Sequence, residues 1–533
     1  MKNENITIKR ALISVTDKTD LEGLVMCLNQ NGVEIISTGG TKAFIEKLGV
    51  PVINIEDVTG NPEAFGGRMK SISFQITSGL LFRRYFEQDL VEANQLKIKP
   101  IDLVVCNLYP FQDYVGKNSP EDTLIENIDI GGPLMLRAAS KNYEAVTVLS
   151  DVSDYKEFLS EFNTTSQKIS FKTRRKLAVT CFNRIAKYDC LIAEELTERF
   201  MKEESNTKSF MNLSDEEVLR YGENPHQWAK KYQFLNTTQN ITLSKAEFIQ
   251  GKELSFNNWV DADAAWRVMS DIAHISKDKK VVSIIKHANP CGLAVSTSTL
   301  GALEEAWSGD SVSSFGGIIA FSHEVDENAA QFFKDKFIEV IIAPNFTTEA
   351  LALFSKKKNI RLLKSPIRPS NESELIVKSI SGGLLIQNED ESSGKKEELK
   401  NVTNEKLSNE YLELADFGIL ACKHLKSNGI ALVMKTENGN FSLVGAGMGQ
   451  PNRLDSLRLL AQVRSKQKNL DLSKMLLISD AFFPFSDSIE VCHEVGIKSI
   501  IQPGGSIRDD EVIEACNKFG ISMAFTGRRH FRH

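Results

Sequence analysis

The chain has 533 residues, with 64 lysines and arginines against 70 aspartates and glutamates and a formal net charge of -6. Hydrophobic residues make up 41% and charged residues 25%, which excludes a mainly disordered, collagenous or fibrous chain, and the slightly acidic balance gives no reason to expect nucleic acid or a membrane surface as partner. No apolar run approaches the ~18 residues of a spanning helix, the polar start is unlike a signal peptide, and eight scattered cysteines without a Cys-x-x-Cys pair read as reduced thiols, so a cytoplasmic protein of several domains is expected.

In chain order, the first 150 residues alternate short β-branched runs with amphipathic stretches, the pattern of a parallel α/β sheet. Strands are predicted at Leu12 to Val15, Val33 to Ser37, Val50 to Ile55, Ile101 to Leu108 and Ala145 to Leu149. Between the first two, Leu21, Leu24, Val25 and Leu28 share a helical face and Gly32 caps it; a second helix from Thr41 to Leu48 stops at Gly49. In such a sheet ligands are held by the loops at the carboxyl ends of the strands. From Asp154 to about Lys208 the pattern is helical and charged, and a boundary is placed near residue 205. The remainder mixes strands and helices, with Asn388 to Lys400 read as a solvated loop. Ile341-Ile342-Ala343-Pro344 and Ile500-Ile501-Gln502-Pro503, each followed by a helical stretch, suggest a faint internal duplication.

Ser37-Thr38-Gly39-Gly40-Thr41 follows a strand and opens a helix, so its amides can cradle a phosphate, and Asp129-Ile130-Gly131-Gly132 offers a second such turn. Either alone is more readily a plain tight turn, but two in one domain point to a phosphorylated ligand. Neither is a Walker loop, and Gly445 to Gly449 lacks the spacing of a dinucleotide fingerprint, which counts against a nicotinamide-dependent oxidoreductase. Arg68, Lys70, Arg137 and Lys141 add positive charge near these loops. Lys286-His287 follows the apolar run Val281 to Ile285, which places both at the mouth of a parallel sheet, where a histidine can accept a proton and an ammonium can face a developing oxyanion. His287 and Cys291 echo part of a zinc deaminase signature, but Asn289 stands where its glutamate would be and no Cys-x-x-Cys follows, so zinc is rejected.

Taken with Ile13 to Lys18, Asn107-Leu108-Tyr109-Pro110-Phe111, Arg220 to Gln227, Gln250 to Ser255, Lys286 to Gly292, Asp480 to Phe485 and Gln502 to Ser506, these motifs run in the order of one family. The chain closely resembles, nearly end to end, the bifunctional purine-biosynthesis proteins that join AICAR transformylase to IMP cyclohydrolase. The resemblance implies a methylglyoxal-synthase-like parallel-sheet domain over residues 1–204 and a transformylase over 205–533, built from two cytidine-deaminase-like α/β subdomains at about 205–370 and 371–533. It implies formyl transfer from 10-formyltetrahydrofolate to 5-aminoimidazole-4-carboxamide ribonucleotide (AICAR), then dehydrative closure of formyl-AICAR to IMP, in a homodimer with shared transformylase sites. A regulatory nucleotide-binding module without chemistry, the other use of such N-terminal domains, is disfavoured by Lys286-His287.

Carried over by position, His287 is the proton acceptor and Lys286 stabilises the transition state. Arg220, Tyr221, Gly316, Glu339, Asn428, Arg453, Phe482 and Arg529 would hold AICAR, Glu339 standing where some relatives have aspartate. Leu454, Asp487, Ser506 and Ile507 would meet folate. For the cyclohydrolase the resemblance implies Lys141 as the proton-transfer residue with Lys70, Tyr109 and Asp129 beside it. Thr16, Asp17, Lys18, Ser37, Thr38, Gly39, Gly40, Arg68, Cys106, Asn107 and Ile130 would bind its substrate. One departure is plain: after Gly66-Gly67-Arg68-Met69-Lys70 the family reads Thr-Leu-His-Pro-Lys, whereas this chain has Ser71-Ile72-Ser73-Phe74-Gln75.

Overall fold

The computed structural model describes residues 4–65, 68–115, 117, 119–201, 213–234, 241–276, 278–370, 374–391, 396–461 and 470–533. The chain divides into two compact units, Met1–Ser214 with Phe234–Thr238, and Asp215–Gln233 with Gln239–His533. The boundary expected near residue 205 lies outside the described residues.

The first unit is built on five strands in the order Ile53–Asn54, Glu34–Ser37, Arg10–Ser14, Leu103–Cys106 and Thr147–Leu149, every neighbouring pair parallel. All five expected strands are present, the first beginning two residues earlier than expected and the other four shorter. Parallel strands need helical crossovers, and those crossovers bury both faces of the sheet. In the helix Leu21–Gln30 the buried residues are Leu21, Leu24, Val25 and Leu28, the stripe predicted from the sequence, and each contributes roughly 1.5–3 kcal/mol on burial. Gly32 follows it at φ 71° and Gly49 at φ 73°, where a side chain would be strained. The helices Gly131–Lys141 and Phe171–Phe200 pack on one another.

The second unit carries a sheet of twelve strands that is two copies of one pattern placed edge to edge. From one edge to the centre run Glu247–Gln250, Arg361–Lys364, Val340–Ala343, Ile318–Phe321, Lys280–Lys286 and Asn289–Ser296. From the centre outward run Phe441–Gly447, Ile430–Lys435, Leu476–Ser479, Ser499–Gln502, Ser522–Phe525 and Lys400–Asn401. In each copy a central hairpin is followed by three strands parallel to one another and an antiparallel edge strand. The copies join through Ala294 opposite Ser442 and Val295 opposite Phe441. The two segments that looked alike in sequence lie on corresponding strands, Val340–Ala343 and Ser499–Gln502.

Two expectations are corrected. Lys286-His287 does not stand at the mouth of a parallel sheet: its strand is antiparallel to both neighbours, and His287 lies in a hairpin turn. An apolar run buried on both faces reads the same in either pairing, so the sequence could not decide. The stretch from Asn388 is not all solvated loop, because the Glu389 carboxylate pairs with Arg267 and Arg368, partners over twenty and over a hundred residues away, and Asp390 meets the His530 imidazole at 2.7 Å. Gly445 to Gly447 end a strand, where a Cβ on Gly447 would stand 2.2 Å from the Ser456 carbonyl oxygen. That glycine serves a close approach of two backbones. Among the described residues no helix is long and apolar enough to cross a membrane.

Candidate active sites

In the first unit the loops after the strands Arg10–Ser14, Glu34–Ser37 and Leu103–Cys106 meet at one end of the sheet. The Asn107 amide oxygen accepts the Thr16 and Asp17 backbone N–H groups at 2.6 and 3.1 Å, and its nitrogen donates to the Asp17 carbonyl at 2.8 Å. Hydrogen bonds from Thr19 hold the exposed Asp17 carboxyl below its usual range. Lys18 turns back onto the Thr16 carbonyl. Ser37, fully buried, donates to the Ile13 carbonyl. Thr38 and the exposed Gly39 and Gly40 open the helix Gly39–Lys47, so its first amides face the site.

The loop of Lys70 and Ser71 lies against both glycine turns. A Cβ on Gly39 would stand 3.8 Å from Lys70 Nζ, and one on Gly131 2.8 Å from Ser71 Oγ. Asp129 sits at the second turn and accepts the Gly132 N–H at 2.8 Å. A Cβ on Gly132 would stand 2.3 Å from the same carboxylate, so glycine there is what admits Asp129. Burial pushes the Asp129 carboxyl up, against backbone hydrogen bonds from Gly132 and Tyr109 that pull it down. Cys106 is buried next to it, its thiol raised by that burial and by the Asp129 charge. Tyr109 and Ile130 are exposed beside this turn. Arg68 pairs with Glu126, and Lys70 with Glu63 at 2.9 Å.

Lys141 lies on the helix that this turn opens. It ends those 11 residues, and at ~1.5 Å per residue its backbone lies about 15 Å along the axis. It lines a cavity with Arg137, Arg175, Leu134 and Phe182. In the altered loop, Ser73 caps the helix Phe74–Leu81, its oxygen accepting the Ile76 N–H at 3.1 Å.

In the second unit Lys286 and Asn289 pair to close a two-residue turn of His287 and Ala288, at φ 53° and 59°. Such a turn needs positive φ at both places and usually takes Asn-Gly. The Asp261 carboxylate accepts the N–H of Ala288 at 2.6 Å and of His287 at 3.2 Å. Lys286 Nζ donates to the Gly316 carbonyl at 2.8 Å, and Gly316 N–H in turn donates to the Phe337 carbonyl. Glu339 accepts from the Asn258 amide at 2.7 Å and faces Arg361 at 3.8 Å. Burial lowers the Arg361 guanidinium, and the nearby Arg220 charge, beside Tyr221, adds to that.

The second copy contributes a matching cluster. Arg453, buried, donates to the Asn428 amide oxygen at 3.0 Å and the Phe482 carbonyl at 3.2 Å, and pairs with Asp480. Asn289 ties the clusters together, donating to the His287 carbonyl at 2.9 Å and accepting the Lys426 N–H at 3.1 Å. Arg529 precedes His530, whose N–H donates to the Asp480 carbonyl. Leu454 adjoins Arg453 on a short helix packed against Asp487–Val495. Ser506 and the wholly exposed Ile507 stand in the next loop, where Arg508 stacks on Phe485. Among the described residues no group of three or more His, Cys, Asp or Glu side chains is placed to hold a metal ion. Asp261, Asn258 and Arg361 were not singled out in the sequence, and Asn289 entered it only as a departure from a zinc signature. Nothing local marks Asp261.

Acid–base side chains at a turn in one unit and two glycine-lined helix starts in the other define a two-site enzyme for phosphorylated ligands. The family model described as AICARFT/IMPCHase bienzyme matches residues 139–463, and that of the MGS-like domain residues 20–134. The bifunctional purine biosynthesis protein PurH of Acetivibrio thermocellus is 42% identical over 99% of this chain and 100% of its own length. That of Halalkalibacterium halodurans is 43% identical over 98% and 100%. A solved structure, "Crystal structure of ForH", is 33% identical over 35% of this chain and 96% of its own, at a TM-score of 0.33. The chain belongs to the AICARFT/IMPCHase bienzyme family. It is a bifunctional enzyme of purine biosynthesis, AICAR transformylase and IMP cyclohydrolase in one polypeptide.

Proposed function

We propose that the two units divide the two reactions, residues 205–533 carrying formyl transfer and residues 1–204 ring closure, and that the formyl donor is 10-formyltetrahydrofolate. The observation that carries the first assignment is the turn at His287: an exposed imidazole on an anchored hairpin, next to an ammonium. The amine of AICAR is a poor nucleophile, so its attack needs a base, and His287 accepts the proton it sheds. Lys286 has three N–H donors. One is spent on the Gly316 carbonyl, which aims the others at the oxygen where negative charge develops. Arg220, Tyr221, Gly316, Glu339, Asn428, Arg453, Phe482 and Arg529 hold AICAR in this reading, and Leu454, Asp487, Ser506 and Ile507 meet the folate.

For ring closure, the amides opening at Gly39 and Gly131 take the phosphate and polar edge of formyl-AICAR, joined by Thr16 to Lys18, Ser37, Thr38, Gly40, Arg68, Cys106, Asn107 and Ile130. Asp129 is the proton-transfer group with Lys70 and Tyr109 beside it. Lys141, on the helix that Gly131 opens, takes part in this proton transfer.

A cytoplasmic homodimer completes the reading. It is supported by the hairpin Leu375–Ile380 and Gly383–Asn388, whose Leu375, Ile376, Ile380, Leu384, Leu385 and Ile386 are all exposed, some on each face, apolar surface of the kind that proteins cover. The test is direct: full-length protein given AICAR and 10-formyltetrahydrofolate should form IMP. Formyl-AICAR accumulating without IMP would contradict the ring-closure assignment, and no consumption of AICAR the transfer assignment.

A further inference from the structure

The base assigned to His287 sits where side chains are rarely found. His287 and Ala288, at φ 53° and 59°, are both in the left-handed region, which non-glycine residues occupy only when their surroundings impose it. The imposition is visible. Asp261, on the helix Phe256–Ile275, forks its carboxylate onto two successive backbone N–H groups, those of His287 and Ala288. Asn289 fixes the carbonyl on the other side of His287. The peptide planes flanking His287 are thereby held, while its imidazole makes no hydrogen bond among the described residues.

Resting on the proposal that His287 is the base, we infer that Asp261 is a positioning residue for formyl transfer: it holds the left-handed turn that presents the imidazole. Burial pushes the Asp261 carboxyl up, with the two backbone hydrogen bonds, the His287 and Lys286 charges drawing it back down, as expected of a half-buried carboxylate kept for its contacts. Without it the turn can relax to ordinary strand conformations, carrying the imidazole away from the amine. Misplacement by about 1 Å is enough to cost ~10²-fold in rate.

The test uses the full-length enzyme, steady-state formyl transfer, and cyclisation of supplied formyl-AICAR as an internal control. Asp261→Ala should lower kcat for transfer by ~10²-fold, with KM for AICAR and the cyclisation rate changed by less than about threefold. Adding Ala288→Gly to that variant should recover at least about fivefold of the lost kcat, because glycine adopts the left-handed conformation without a partner to enforce it. A role in packing alone would not be rescued in this way. Should Asp261→Ala fail to fold, Asp261→Asn, of the same shape with one acceptor in place of two, should show the same loss in kcat with KM kept. Wild-type kcat in both Asp261 variants, or a loss that glycine at 288 does not relieve in folded protein, would overturn the inference. If His287→Ala itself transfers at the wild-type rate, the failure belongs to the base assignment instead.

Discussion

The two hairpins at the centre of the twelve-stranded sheet occupy corresponding places and are built differently. The first turns in two residues, His287 and Ala288, both left-handed and both anchored by Asp261. The second turns over Thr436 to Asn440 with Gly439 at φ 73°, closed by its own backbone and the Thr436 hydroxyl. Six residues beyond its Ser255 cap the first copy's helix carries Asp261. Six beyond Ser408, the second copy's carries the buried Leu414. A duplicated scaffold needs only one strained turn: in the proposed reading the first copy supplies the acid–base group, and the second supplies the buried Arg453 and its ligands.

The comparison can be broken most severely by transplanting Thr436 to Asn440 in place of His287-Ala288. The sheet should survive, since the same scaffold bears that turn already, while formyl transfer should fall by the ~10²–10⁴-fold of a lost base. Retained activity would mean that the turn is merely structural. Next in size, Arg453→Ala strips a buried carboxylate, Asp480, of its partner, and breaking such a pair typically costs ~3–5 kcal/mol. Denaturant unfolding of the second unit should register a loss of that order, and a change within ~1 kcal/mol would deny the second copy its rigid cluster.

A third test concerns how the copies are pinned together. Asp271, on a helix of the first, meets His424 at 2.9 Å and Lys423 at 3.1 Å, on the second. Burial pushes the Asp271 carboxyl up, but the His424 hydrogen bond and charge and the Lys423 ammonium outweigh it and hold it well below 3.8. Burial lowers His424 below 6.5 despite Asp271. Both signs agree. A carboxyl depressed in the folded state contributes stability above its unfolded value and loses it as pH falls through the folded one, and a depressed histidine favours the unfolded, protonated form as pH drops below 6.5. Melting temperature should therefore decline from pH 7 toward pH 4 and below, and Asp271→Asn should flatten the decline under pH 5. A variant curve parallel to the wild type would contradict this.

The smallest effect contrasts the units. In the first, the family's His and Lys are replaced by Ser73 and Gln75. A lost charged hydrogen bond to an anion weakens binding by roughly 1.5–3 kcal/mol, so restoring both should lower KM for formyl-AICAR with kcat little changed. Removing the Ser73 cap costs ~1 kcal/mol of helix stability in return. A large gain in kcat would instead make the lost pair catalytic.

How much was legible follows from how local each signal is. The five strands of the first unit and the stripe Leu21, Leu24, Val25, Leu28 are written in local periodicity, and the structure has them. The antiparallel setting of Lys286 was not legible, because pairing direction leaves no mark on a fully buried run, nor was the burial of Glu389, whose arginines are distant in sequence. Asp261 is one acidic residue on an amphipathic helix until the fold brings the turn to it.

The central claim, two reactions on two units with His287 as the base of one, is tested most directly by His287→Ala in the full-length enzyme, assayed for both half-reactions in parallel. Formyl transfer should fall by ~10²–10⁴-fold while cyclisation of supplied formyl-AICAR stays near the wild-type rate. Wild-type transfer, or an equal loss in both, would contradict the account.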